Sequence, residues 1–197
     1  MIAALGETTG HLFLAQMRDR MLQDPTGRRI LRERPKINSW TIDLVRLREL
    51  PDGSLGREYM RWLDAEGVSP DTRDQVRYVD SEELAYVMQR YRETHDFAHT
   101  LLGLDVTVES ELALKWFEWT QTGLPMAALS SLFGPLRLTS AERRRLFSHY
   151  VPWAVECAAG SKFFMCVYFE ELFERPLTEV RRDLGIYLPP DERNGKV

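Results

Sequence analysis

From Leu84 onward, Val87, Met88, Tyr91, His95, Ala98 and Leu102 recur at spacings of three and four, the inward stripe of an amphipathic helix. Arg90, Arg92 and Glu93 fall largely on its other side. Asp80 offers an N-cap, with Glu83 placed to reach back from the third helical position as in a capping box. Gly103 is a C-terminal stop. A second helix is predicted from about Val106 to Thr122, ending before Gly123-Leu124-Pro125. The connection from Leu104 to Thr107 is short, so the two helices should lie antiparallel, the start of the second beside the end of the first.

The same spacing predicts helices over Thr8 to Gln23 and, ahead of Pro35, over Gly27 to Arg34. Pro51-Asp52-Gly53-Ser54 reads as a turn, followed by a helix from Leu55 to Ala65 with Leu55, Tyr59 and Trp62 or Leu63 on one face. Gly67 to Val79, which contains Pro70, reads as an irregular connection. Thr139-Ser140-Ala141-Glu142 is a capping box opening a helix that Pro152 should kink or divide near Trp153. Phe163 to Glu174 predicts one more helix, and Pro176 suits the first turn of the last. With no internal repeat, no low-complexity stretch and no run of period-two alternation, the fold class is all-α. The expected architecture is a single-domain helical bundle over residues 1–188, with a polar, frayed tail over 189–197.

Composition narrows the partners. The 197 residues are 44% apolar and carry 26 basic and 30 acidic side chains. That length can bury one full core, and a net charge of -4 gives no reason to expect nucleic-acid binding. No window approaches the roughly 20 apolar residues of a membrane span. The first residues, Met1 to Glu7, read neither as a secretory signal nor as an Arg- and Ser-rich transit peptide. Leu124 to Leu136 is nearly uncharged, too short to span and bounded by prolines. It reads either as a buried core helix or as an apolar cavity wall or membrane-facing segment, with Arg143, Arg144 and Arg145 following. Cys157 and Cys166 read as buried thiols of a reducing compartment.

Chemistry concentrates on the hairpin. His95 and His99, at i and i+4, stand on one helix face roughly 6 Å apart, a separation that one metal ion can bridge. Asp96 lies between them and Glu111 arrives from the start of the second helix, so the candidate ligands are His95, Asp96, His99 and Glu111. Imidazole with carboxylate and no thiolate suits a divalent metal, zinc first, with iron(II), manganese(II) or cobalt(II) as alternatives. A purely structural arrangement stays open, with Glu111 paired to Lys115 and Asp96 to Arg92.

The His95-Asp96-x-x-His99 unit followed by Glu111 resembles the metal motif of the Coq-four family of coenzyme Q (ubiquinone) biosynthesis. The resemblance extends over Gly6-Glu7-Thr8-Thr9-Gly10, Gly53 to Tyr59, Val68 to Arg73, Glu82 to Val87, Gln121 to Met126, Phe133-Gly134-Pro135 and Val151 to Val155, weakening only in the last twenty or so residues. It implies a peripheral protein at the matrix face of the mitochondrial inner membrane. The implied partners are a polyprenylated benzoate or quinone-precursor lipid and other coenzyme Q biosynthesis proteins, with a homo-oligomer left open. The implied activity replaces the C1 carboxylate of a 4-hydroxy-3-methoxy-5-polyprenylbenzoate by a hydroxyl, alongside organisation of the biosynthetic complex. Beside it stand a zincin-type peptidase, whose motif has a Glu general base where the shorter Asp96 stands here, and two further readings. One is a lipid-binding scaffold with a structural metal. The other is an HD-type metal phosphohydrolase, which needs a further upstream histidine that His11 is poorly placed to supply.

Overall fold

The computed structural model describes residue 7, residues 10–72 and residues 75–190. The start of the helix expected from Thr8 lies outside them, as does most of the tail expected to fray. Among the described residues there are helices and turns, one isolated bridge between Ser54 and Pro176, and no strand.

The amino-terminal helices are α1 (His11–Gln23) and α2 (Pro25–Glu33). The Asp24 side chain accepts from the Thr26 and Gly27 amides at 2.7 and 2.9 Å, with Pro25 in the first turn, so α2 begins two residues earlier than its apolar pattern implied. Next come α3 (Leu44–Glu49) and α4 (Leu55–Glu66). Ser54 caps α4, after Gly53 takes the left-handed conformation that the turn requires (φ 80°). Gly56 has no room for a side chain, because a Cβ there would sit 2.8 Å from Leu50.

The centre of the molecule is α5 (Glu82–Leu102), buried along most of its length. Its cap is Ser81, one residue beyond the expected Asp80, and Glu83 pairs with Arg18 at 2.7 Å instead of reaching back to close a capping box. Gly103 ends α5 in the left-handed region, and Thr107 caps α6 (Val108–Thr122). The apolar core lies on both sides of α5. Phe97 stacks between Tyr59 at 4.0 Å and Phe169 at 4.8 Å, while Val87 and Tyr91 meet Leu14, Met17, Met21 and Met165 in the other cluster.

Beyond α6 run α7 (Pro125–Phe133), α8 (Ser140–Arg145) and α9 (Val151–Gly160). The capping box at Thr139 and Glu142 forms as expected. A π-helical turn over Leu146–Tyr150 joins α8 to α9 and brings Pro152 into the first turn of α9, where its missing N–H costs little. The helix expected over Phe163 to Glu174 does not form. Two 3-10 turns, Phe164–Cys166 and Phe169–Glu171, take its place. Phe163, Phe164, Met165, Val167 and Phe169 are all buried, a pattern no single helix face can satisfy. The backbone finds distant partners instead: the Phe164 amide donates to Gln121 Oε1 at 2.9 Å, and the Val167 carbonyl accepts from Arg90 at 3.1 Å. The last helix, α10 (Leu177–Leu184), follows Pro176 directly.

Candidate metal centre

The hairpin of α5 and α6 delivers what its spacing promised for three of the four expected ligands. One ligand atom each from His95, His99 and Glu111 lies within 4.8 Å of the others. His99 Nε2 is 3.3 Å from His95 Nε2 and 3.2 Å from Glu111 Oε1, and His95 Nε2 is 3.8 Å from Glu111 Oε2. Asp96 lines the same cavity, but its carboxylate is not part of that group.

The outer nitrogens explain why the inner ones point together. His95 Nδ1 lies 2.6 Å from Glu118 Oε1, and His99 Nδ1 lies 3.3 Å from the Leu104 carbonyl. Both partners only accept, so each Nδ1 is the donor, and in the neutral ring the Nε2 lone pair then faces inward. Trp62 stacks on His99 at 4.8 Å between ring centres and donates its own Nε1–H to the same Leu104 carbonyl at 2.8 Å, fixing ring and acceptor together. Two imidazole lone pairs and a carboxylate thus converge at contact distance. Three acceptors brought together repel one another without a cation between them, so the donor set fits a divalent metal.

Burial, reinforced by the charge of Lys115, lowers the His95 pKa and keeps the ring in its neutral, ligating form. Glu118 is buried as well, which by itself raises a carboxyl pKa. The Lys115 charge and the bonds from His95 and Lys115 outweigh burial and hold Glu118 far below the usual carboxylate range. Lys115 pairs with Glu118 at 2.5 Å, not with Glu111, and Arg92 bonds Glu7 at 2.8 Å. Glu118 and Trp62 were not singled out from the sequence. For Glu118 a signal existed, since it stands seven residues after Glu111 and so on the same side of α6.

The three ligands open onto a cavity of about 460 Å3, whose wall includes Trp62, Val68, Lys115, Met126 and Ser130. Met126 and Ser130 come from α7, the core of the uncharged Leu124–Leu136 segment. That segment is not a buried core helix throughout. Leu124, Ala127 and Ser131 face inward, while Leu129, Leu132, Phe133 and Leu136 are exposed. Of the basic run that follows, Arg143 is tied to the Pro135 and Leu138 carbonyls, Arg145 pairs with Glu109 at 2.6 Å, and Arg144 is exposed. Among the described residues no helix is long and apolar enough to cross a membrane.

Comparison with known proteins gives this geometry a context. Residues 1–190 match the family model described as coenzyme Q (ubiquinone) biosynthesis protein Coq4. The chain is similar to the mitochondrial ubiquinone biosynthesis protein COQ4 of Arthroderma otae, at 59% identity over 98% of this chain and 72% of that one. It is 53% identical to the protein of that name from Yarrowia lipolytica, over 100% of this chain and 75% of the relative. The mouse COQ4 homologue, also named as mitochondrial, is 52% identical over 99% and 73%. A solved protein from Nostoc punctiforme, named for ubiquinone biosynthesis, shares the fold with a TM-score of 0.71 at 21% identity, covering 88% of this chain and 81% of that one.

Proposed function

The chain belongs to the Coq4 family of coenzyme Q (ubiquinone) biosynthesis proteins, and from that premise we propose that it exchanges the C1 carboxylate of a 4-hydroxy-3-methoxy-5-polyprenylbenzoate for a hydroxyl. The observation that carries the proposal is the inward convergence of His95 Nε2, His99 Nε2 and Glu111 on one open cavity. A set of three protein ligands leaves positions for water or substrate, as catalytic sites do and closed structural sites do not. A divalent ion held by these residues, zinc first, would supply a Lewis acid for an aromatic carboxylate or its neighbouring phenolate. Overall, the benzoic acid, water and dioxygen would give the phenol, carbon dioxide and hydrogen peroxide, the substrate losing two electrons that dioxygen takes up.

The chain's own residues supply binding and orientation. Lys115, one turn beyond Glu111, places a positive charge on the cavity wall where an anionic ring substituent would arrive. Trp62 and Met126 give that wall apolar surface to exclude water. The helix that carries Met126 and Ser130 also bears the exposed Leu129, Leu132 and Phe133, and the 3-10 turn Gly134–Arg137 after it adds Leu136, a route by which a polyprenyl tail reaches the cavity from a lipid surface. We place the protein on the matrix side of the mitochondrial inner membrane as a peripheral component. Its relatives are named as mitochondrial, and α7 offers the apolar face such attachment needs. Family membership alone is the ground for extending the proposal to organisation of the biosynthetic complex.

The test is to measure bound metal in the purified protein and then release of labelled carbon dioxide from a carboxyl-labelled, prenylated 4-hydroxy-3-methoxybenzoate under oxygen. Release should disappear in His95→Ala and Glu111→Ala variants that keep their helical circular dichroism. If metal-loaded wild-type protein releases no label while still assembling with partner enzymes, the catalytic reading fails and the scaffold takes its place.

A further inference from the structure

We infer that Glu118 is a positioning residue that decides which ring nitrogen of His95 faces the metal cavity. The inference rests on the proposal that His95, His99 and Glu111 hold a metal. Glu118 is buried, and its two oxygens have different company. Among the described residues, Oε1 meets only His95 Nδ1, at 2.6 Å. Oε2 takes both the Tyr91 hydroxyl at 2.7 Å and the Lys115 ammonium at 2.5 Å. Because a carboxylate accepts on both sides, His95 must put its proton on Nδ1, and its remaining lone pair then sits on Nε2, toward His99 and Glu111.

An amide in this place cannot serve both sides. The Lys115 ammonium can only donate, and a bond from a charged donor is roughly twice as strong as a neutral one, so a glutamine at 118 turns its oxygen to Lys115. Its NH2 then faces His95 Nδ1. That nitrogen becomes an acceptor, the proton moves to Nε2, and the lone pair that a metal needs is lost. Glu118→Gln, nearly isosteric, therefore reverses the tautomer of a residue that it does not otherwise disturb. The asymmetry also predicts a rescue. Tyr91 can accept as well as donate, so with Lys115→Met added, the amide is free to give its NH2 to Tyr91 and its oxygen back to His95.

Two measurements test this. In metal-free protein at pH 7.5, 15N NMR of the imidazoles should show His95 as the Nδ1–H tautomer in the wild type, Nε2–H in Glu118→Gln, and Nδ1–H again in Glu118→Gln/Lys115→Met. Zinc affinity, read by competition with a chromophoric chelator, should fall about 10–100-fold in the single variant and recover most of that loss in the double. A wild-type His95 protonated on Nε2 overturns the proposal without any variant. So does a tautomer unmoved by Glu118→Gln, or a double variant that binds zinc no better than the single, which is what loss of packing alone would give. Wild-type protein that binds no zinc, yet shows the tautomer reversal, would sink the metal reading and leave the positioning role standing.

Discussion

The outward face of α7 and of the 3-10 turn Gly134–Arg137 that follows it is where the proposed attachment to a lipid surface can be tested most directly. Leu129, Leu132, Phe133 and Leu136 are 41%, 56%, 62% and 73% exposed, which adds up to somewhat more than two whole apolar side chains left in water. Full burial of one such side chain is worth about 2 kcal/mol, so immersing this face in a bilayer interface contributes about 4–5 kcal/mol. Leu132 and Leu136 hold more than half of that exposure. Replacing both by glutamate should therefore weaken partition by about 100-fold, at roughly 1.4 kcal/mol per tenfold. Flotation with vesicles of phosphatidylcholine containing 20 mol% phosphatidylglycerol, as a probe composition, reads the effect. The control is Val45→Glu on α3, since Val45 is 65% exposed but lies outside the segment. Neither change should alter urea stability by more than about 0.5 kcal/mol, because both are on the surface. Flotation that survives the double substitution, or is lost equally in the control, would refute the assignment of this face.

Two stability predictions follow from buried ion pairs away from the cavity. Glu7 is buried, and burial by itself raises its pKa. The Arg77 and Tyr78 amides at 2.8 and 2.6 Å and the Arg92 guanidinium together hold it below the ordinary 4.5. A carboxyl with a lowered folded-state pKa stabilises fully above its unfolded value and loses that contribution as pH falls through the folded one. Glu7→Gln should cost about 2 kcal/mol at pH 7, and the gap from wild type should shrink below pH 4.5 in urea titrations; a gap that does not change with pH would count against the ionic account. Arg90 is fully buried and grips Glu170 through two bonds, at 2.6 and 3.0 Å. Arg90→Met strands that carboxylate and should cost about 3–5 kcal/mol, most of it recovered when Glu170→Gln is added. A single variant within 1 kcal/mol of wild type would show that the pair contributes little.

What could be read from the chain follows from how local each determinant is. The α5–α6 hairpin was legible because a stripe at three and four, a glycine stop at each end and a short connection are all coded within a few residues of where they act. The cap of α5 was misplaced by one residue because Asp80 and Ser81 are both competent, and the path of the chain into the helix chooses between them. The Phe163–Glu174 stretch was not legible at all. Its apolar residues could belong to a helix, and the form it takes draws backbone partners from Gln121, Arg90 and Gly56, all more than forty positions away. Hydrophobicity alone likewise could not say that α7 has neighbours on one side and water on the other.

The site itself divides along the same line. His95 and His99 were legible from helical register, and Glu111 from the hairpin, because both arguments are geometric. Asp96 joins them through the family motif, and it lines the same cavity beside the three grouped donors. Glu118 went unnoticed because a glutamate on a helix reads as a solvated charge until its donors are known. Here three donors occupy it, and one is the far side of a metal ligand. This distinction bears on function. Among the described residues, three donor atoms group within 4.8 Å, and the cavity beside them is lined by Asp96, by Lys115 and by the flank of α7. A site built only to hold an ion would close around it, whereas an incomplete ligand set facing an open cavity has room for a reactant.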